Sequence, residues 1–413
     1  MFDDGDKMSI GTLVLAFYVI VNFVMGIVFF NDGFLGGDFY GEKIDNKDLF
    51  LWVLGGELLL LITFYAIAVL IVKLTFNRRY AEDYCAVSEL ALKRFNIFLI
   101  GLQISFILFI FATGFGRISL LMDENSSAAN INSPIKYIFV ILLPDFLFIV
   151  YFLVQKNNKK TIVNLSLYLI SNIVRGWVSG PVLLIMAIFL VKKFSFKKIK
   201  IKTILALVTC FIIFVPLVTS LKFGVRFQND EISAVDLVQD SIENNVSYYL
   251  RTLNRFQHIS EAYSFMDSMT FIRKDYDNNK IALPFFTNDF INITSKIFSF
   301  EPQNLLTYGS KVLLDRSFGN IQSGILPWLS IDYFFSISYG LTFFILTILL
   351  SRFCNILTLG YPVSKNIVIW FTIYYYAHGW LFSYMNLLIA MMIFIIFSKL
   401  FGGKVLNMDA NYA

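Results

Sequence analysis

The chain is poor in the residues from which many enzyme centres are built. It has two histidines and three cysteines in 413 residues. Cys85, Cys210 and Cys354 are far apart and lie in or beside apolar stretches, so their spacing encodes neither a disulfide framework nor a thiolate metal cluster. His258 and His378 lack the paired spacing of a zinc or iron site. The chain has no P-loop, no G-x-G-x-x-G, no G-x-S-x-G and no H-E-x-x-H. Nucleotide-driven work and serine hydrolysis through those motifs are therefore excluded. No D-x-D pair is expected on the external side, so a metal-bound nucleotide-sugar enzyme is disfavoured, and no metal or cofactor is expected.

Charge is scarce as well. Only 15% of the residues are charged, against 57% hydrophobic. A soluble domain of this length cannot hide so much apolar surface, so a polytopic membrane protein is expected. The formal net charge of +5 sits in short loops where membrane topology calls for it, and no nucleic-acid partner is implied. The N-terminal MFDDGDKMS lacks the basic start and small-residue cleavage site of a signal peptide, so residues 10–30 read as a retained first helix. No repeat of 20–50 residues is visible, which argues against an inverted-repeat transporter.

Aromatic residues, by contrast, are plentiful: 46 Phe and 21 Tyr. A helix crossing the hydrocarbon core needs about 20 mostly apolar residues. Ten candidates lie near 10–30, 49–72, 95–115, 135–154, 161–174, 177–191, 203–220, 326–350, 366–380 and 381–400. The fifth, sixth and ninth are short and read as half-helices or re-entrant hairpins. Basic runs at Lys73 to Arg94, Lys156 to Lys160 and Lys192 to Lys202 are cytoplasmic by the positive-inside rule, and the acidic loop after the first span faces outward. Both termini are then inside and the polar insert at 221–324 is outside. The expected architecture is an all-α polytopic membrane protein of about ten spans. It divides into a membrane region at 1–220, an external loop at 221–324 and a membrane region at 325–413.

Within the insert, apolar residues recur at helical spacing from Ile232 to Phe265. A helix through this stretch carries Arg251, Arg255 and His258 on the face opposite the apolar stripe. Guanidiniums stay charged and grip phosphate as a fork, so this face suits a diphosphate, although any amphipathic helix shows a charged face. Arg175, in SNIVRGWVSGP between two short apolar stretches, is an intramembrane or interfacial arginine and a site candidate for that reason. Arg226 follows the seventh span at the outer interface, and Arg316 lies in LLDRSFGN. Glu57 and Asp145 are the acids that stand out inside the spans, where each pairs with a basic group or faces a cavity.

The layout, SNIVRGWVSGPVLLIMAIFL and GNIQSGILPWLSIDYFFSISYG together resemble the Wzy-type O-antigen or oligosaccharide repeat-unit polymerases. The first segment is similar to the family's Arg-containing segment between two short helices. The second is similar to its Gly-x-x-Pro segment, with Gly324, Pro327, Asp332, Tyr333 and Gly340 at the corresponding positions. The chain departs from the pattern in having Asp332 where glutamate is common, and in lacking a clean Arg-x10-Gly element after Arg226, Arg251 or Arg255.

The resemblance implies a GT-C-like architecture in the bacterial inner membrane with the large loop in the periplasm. It implies transfer of an undecaprenyl-pyrophosphate-linked oligosaccharide onto the end sugar of another lipid-linked unit, without nucleotide or essential metal. Membrane lipid and a polysaccharide chain-length regulator are the partners it implies. On this reading Arg175, Arg226, Arg251 and Arg255 meet the pyrophosphate and His258 or Glu261 is the base. Arg316, Asp332 and Tyr333 line the substrate site. The alternatives are an O-antigen ligase, which shares the chemistry, a non-enzymatic lipid-linked oligosaccharide flippase, and a membrane acyltransferase with a basic residue–His pair.

Overall fold

The computed structural model describes residues 10–76, 87–115, 135–155, 158–176, 253–284, 303–315, 321–357 and 359–402, with isolated positions between 188 and 250. Their helices are α1 (Ile10–Asp32), α2 (Lys47–Thr75), α3 (Glu89–Thr113), α4 (Ile135–Leu142), α5 (Pro144–Val154), α6 (Ile162–Val174), α7 (Ile259–Asp267), α8 (Met269–Asp277), α9 (Leu305–Val312), α10 (Tyr333–Ile356), α11 (Tyr361–Ala377) and α12 (Leu381–Phe401). There is no β-sheet among the described residues; β-pairing there is limited to the isolated bridges Phe34–Lys43 and Ile281–Gln303.

Among the described residues, six stretches are long and apolar enough to cross a membrane: α1, α2, α3, α4 with α5, α10 and α12. Their composition is apolar on both faces. Helix α1 buries Val14, Tyr18, Val21, Met25 and Phe29 while it exposes Phe17, Ile20, Phe23, Val24 and Ile27. A helix that is hydrophobic all round belongs in a core or a bilayer, and these outward side chains have no protein over them. The protein is a mostly helical, multi-pass membrane protein.

Local chemistry explains the interruptions. The expected fourth span breaks at Leu143, which has a left-handed backbone (φ 46°), because Pro144 at the start of α5 has no N–H to continue α4. The expected 366–380 and 381–400 segments are two helices rather than one tilted span. Gly379 adopts φ 71° between them, and Tyr384 of α12 returns to bond Thr372 and stack on Tyr375 of α11. Expected spans 177–191 and 203–220 lie outside the described residues.

The chain forms two compact units. One comprises Met1–Thr75, Tyr249–Ser351 and Lys365–Met385; the other comprises Phe76–Tyr248, Arg352–Ser364 and Asn386–Ala413. In the first, α1 packs against α2, and a Cβ at Gly26 would come within 2.7 Å of Leu54, so glycine permits the close approach. Helix α7 lies against α2 and against the loop between α1 and α2. In the second, α3 packs against α5 and α6, with Gln103 donating to the Asn164 carbonyl and Asn164 to Asn96. Ser88 caps α3 and also donates to the Gly402 carbonyl, which ties the end of α12 to the start of α3.

Candidate functional site

The amphipathic helix expected to run on to Phe265 breaks at Asn254–His258, and the break builds the site. In a continuous helix the His258 N–H would bond the carbonyl four residues back. Instead it donates to Asn22 Oδ1 at 2.7 Å, and Asn22 Nδ2 donates to the Phe256 carbonyl at 3.1 Å. The Arg255 carbonyl accepts from Gln322 Nε2 at 3.1 Å, and His378 Nε2 lies 3.0 Å from the same oxygen. Distant side chains thus replace the helical bonds of three residues, which offsets the cost of the break.

Helix α7 then starts afresh. Gln257 Oε1 accepts the Ser260 N–H, and Gln257 Nε2 donates to Glu261 Oε2 at 3.1 Å. The other oxygen, Glu261 Oε1, accepts the Asp38 N–H at 3.2 Å from the α1–α2 loop. Gly36 N–H donates to Ser260 Oγ, and Asn46 N–H to Tyr263 Oη, so the loop is stitched along α7. A Cβ at Gly37 would collide with Glu261 Oε1, and its φ of 65° also favours glycine.

These contacts separate the expected residues of the insert. Arg255 points outward with its side chain 52% exposed, and its Nη1 lies 3.8 Å from Asp38 Oδ2. His258 turns inward and is buried, contrary to the shared solvated face that helical spacing implies. Its ring stacks on Tyr18 at 5.8 Å and meets His378 edge-on at 4.6 Å, so the chain's two histidines are neighbours. The Gln322 carboxamide lies beside the His258 ring without reaching hydrogen-bond geometry. Burial, then the nearby His378, hold the His258 proton affinity well below that of an ordinary imidazole, so it is a poor base near neutrality. Glu261 is the reverse case. Burial and the charge of Asp38 raise its carboxyl above the ordinary carboxyl range, and Arg255 only partly offsets them.

The Gly-x-x-Pro segment sits in the same unit. Glu57 Oε1, from α2, accepts the N–H groups of Ile325 (2.8 Å) and Leu326 (2.7 Å). Gly324 takes φ 72°, and a Cβ there would collide with the Glu57 carboxylate, which is why glycine occupies the position. Trp328 Nε1 donates to Ser323 Oγ at 2.6 Å. We predict that Glu57→Ala lowers the melting temperature of the purified protein, because two buried N–H groups lose their acceptor at about 1–3 kcal/mol each. Glu57→Gln keeps that oxygen and should melt close to the wild type. Equal losses for Ala and Gln would show that capping this segment is not what Glu57 does.

Asp332 and Tyr333 follow. Asp332 Oδ2 accepts the Phe334 N–H at 2.8 Å, so it caps α10. Tyr333 is 80% exposed. The insert contains a D-x-D element, Asp275–Tyr276–Asp277, contrary to the expectation of none on the external side. Asp275 is engaged by Lys280 Nζ (2.8 Å) and Tyr308 Oη (2.9 Å), so it pins α8 to α9. Arg226, Arg251 and Arg316 lie outside the described residues.

Arg175 belongs to the second unit. It is buried at the end of α6 and forms a close ion pair with Asp145, in the first turn of α5. Its Nε donates to the Ser171 carbonyl and its Nη2 to Asn172 Oδ1, both at 3.0 Å, and the guanidinium lies 5.1 Å from the Phe106 ring centre. The intramembrane acid and base singled out in the sequence are therefore partners. Acid at a helix start and base at a helix end also suit both helix dipoles.

Comparison with known protein families, with curated proteins and with solved structures finds no match to this chain.

Proposed function

We propose that the protein is a membrane glycosyltransferase of the repeat-unit polymerase type. On this reading it has about ten spans, lies in the bacterial inner membrane and holds the 221–324 insert in the periplasm. Its substrate is a glycan on undecaprenyl pyrophosphate and its acceptor is the end sugar of a second lipid-linked unit. The observation that carries the reading is the meeting, at the start of α7, of an outward guanidinium and a carboxyl pair. Arg255, Asp38 and Glu261 lie within one stitched loop–helix contact.

In the reaction the C1–O bond to the pyrophosphate breaks and a C1–O bond to the acceptor hydroxyl forms. Negative charge grows on the departing lipid pyrophosphate, and Arg255 neutralises it in place of Asp38. The hydroxyl proton passes to Glu261, beside Asp38, and the raised proton affinity of Glu261 suits a base near neutral pH. His258 serves the packing rather than the proton transfer.

The test is deletion of the gene followed by complementation, read as the surface-polysaccharide banding pattern on a gel. Core plus one repeat unit in the null, with a ladder restored by wild type, supports polymerisation. Bare core points to a ligase or flippase, and an unchanged ladder removes the protein from this pathway. The pH dependence has a definite sign. The base must be deprotonated, so the rate falls as pH drops through the raised carboxyl value, well before ordinary carboxylates titrate. Glu261→Gln should lower the rate by about 10²–10⁴-fold and flatten that limb. A wild-type rate independent of pH across this range would remove Glu261 from the chemistry. Stability runs the other way: the native state holds the Glu261 proton more tightly, so this group favours folding less as pH rises toward its raised value.

A further inference from the structure

Two side chains from distant parts of the chain converge on one main-chain oxygen. His378 Nε2 and Gln322 Nε2 both reach the Arg255 carbonyl. His378 cannot swing away. Its Nδ1 lies 2.6 Å from the Tyr374 carbonyl, and its ring is walled by Tyr18, Phe256, Tyr374 and Trp380. The next residue, Gly379, turns the chain at φ 71°, where a Cβ would lie 2.6 Å from Ser323 Oγ. On the other side Asn22 holds the Phe256 carbonyl and the His258 N–H. The backbone around residue 255 is thus gripped on both flanks, while the side chain it carries is half exposed.

We propose that Gln322, which donates to the Arg255 carbonyl, and His378, whose ring is held against the same oxygen, are positioning residues that set the direction in which Arg255 presents its guanidinium. This rests on the reading of Arg255 as the group that meets the anionic leaving group. A flexible arginine on a loose loop would lose orientation entropy each time it met a phosphate. One on a seated backbone arrives already aimed, and a misplacement of about 1 Å can cost about 10²-fold in rate.

The test has two readouts on the full chain in lipid nanodiscs. First, a spin label is placed on Arg255→Cys with Cys85, Cys210 and Cys354 changed to alanine. His378→Phe keeps an aromatic ring but removes both ring nitrogens, and it should give a more mobile spectrum than the parent. Gln322→Leu should do the same, and carries the test if His378→Phe does not accumulate. His378→Gln, whose Nε2 has a similar reach, should restore the restricted spectrum. Second, with Arg255 and the native cysteines in place, His378→Phe should lower kcat by about 10²-fold with little change in KM, and His378→Gln should recover much of it. Unchanged label mobility in both His378→Phe and Gln322→Leu overturns the positioning role, whatever the activity. If instead mobility changes but Arg255→Ala transfers glycan at the wild-type rate, the seat stands and the proposed function falls.

Discussion

Arg255→Ala is expected to lower repeat-unit polymerisation by about 10²–10³-fold while leaving the amount of protein in the membrane unchanged. The two halves of this expectation have separate physical causes. The rate loss follows from removing a fixed cation beside the bond that breaks, where charge develops only in the transition state. The unchanged level follows from how little the side chain does for the fold. Its contact with Asp38 is 3.8 Å long and half exposed. Exposed pairs of this kind contribute about 0–1 kcal/mol. The groups that hold the segment, Asn22, Gln322 and His378, bond the main chain and survive the substitution. Arg255→Lys keeps the charge but loses the forked geometry, so an intermediate rate is expected. Repeat-unit transfer measured on purified protein, beside an immunoblot of membranes, checks both halves. A full-length ladder from the alanine variant at normal protein level would remove Arg255 from the chemistry.

Asp145→Ala should be the most damaging single change in the second unit. It leaves the Arg175 guanidinium buried without its counter-charge, at a cost of about 3–5 kcal/mol. Arg175→Ala should be milder, because Asp145 is the more exposed partner, with Ser171 Oγ and Asn172 Nδ2 still facing it at 3.5 and 3.4 Å. Replacing both, as Asp145→Leu with Arg175→Met, should bring stability back near the wild type, because an apolar pair escapes the desolvation penalty that the ions carry. Protein level and melting in detergent check the three variants. The double variant also separates two roles for Arg175 that the single changes confuse. Restored level without polymer assigns the arginine to the chemistry; restored level with polymer makes the pair a structural tie. If Asp145→Ala melts like the wild type, the guanidinium is not desolvated as the structure has it.

Some of this architecture was legible along the chain because its causes are local. Apolar runs of about 20 residues follow from the thickness of the hydrocarbon core, so α1, α2, α3, α10 and α12 could be read with ends off by several residues. The 366–380 and 381–400 segments were separable, and the helices part at Gly379, whereas the 135–154 span was read through the break that Pro144 makes. Arg175 and Asp145 could each be singled out, since an ion inside an apolar stretch needs a partner. Their pairing could not, because no spacing rule links the start of one helix to the end of another.

The site around α7 lay beyond sequence reasoning for the same reason. Periodicity argued for one helix through Phe265 with Arg255 and His258 on a common face. Local preference lost to hydrogen bonds from Asn22 and Gln322 and to the contact of His378, residues from three distant stretches that no pattern connects to this part of the insert. The sequence by itself determined that the chain lives in a membrane, roughly where many of its spans begin and end, and which few ions are too costly to be there without purpose. Only the tertiary structure decided which of them meet. A span answers to the summed transfer free energy of adjacent residues, whereas a polar cluster answers to bonds between residues that folding alone brings within 3 Å.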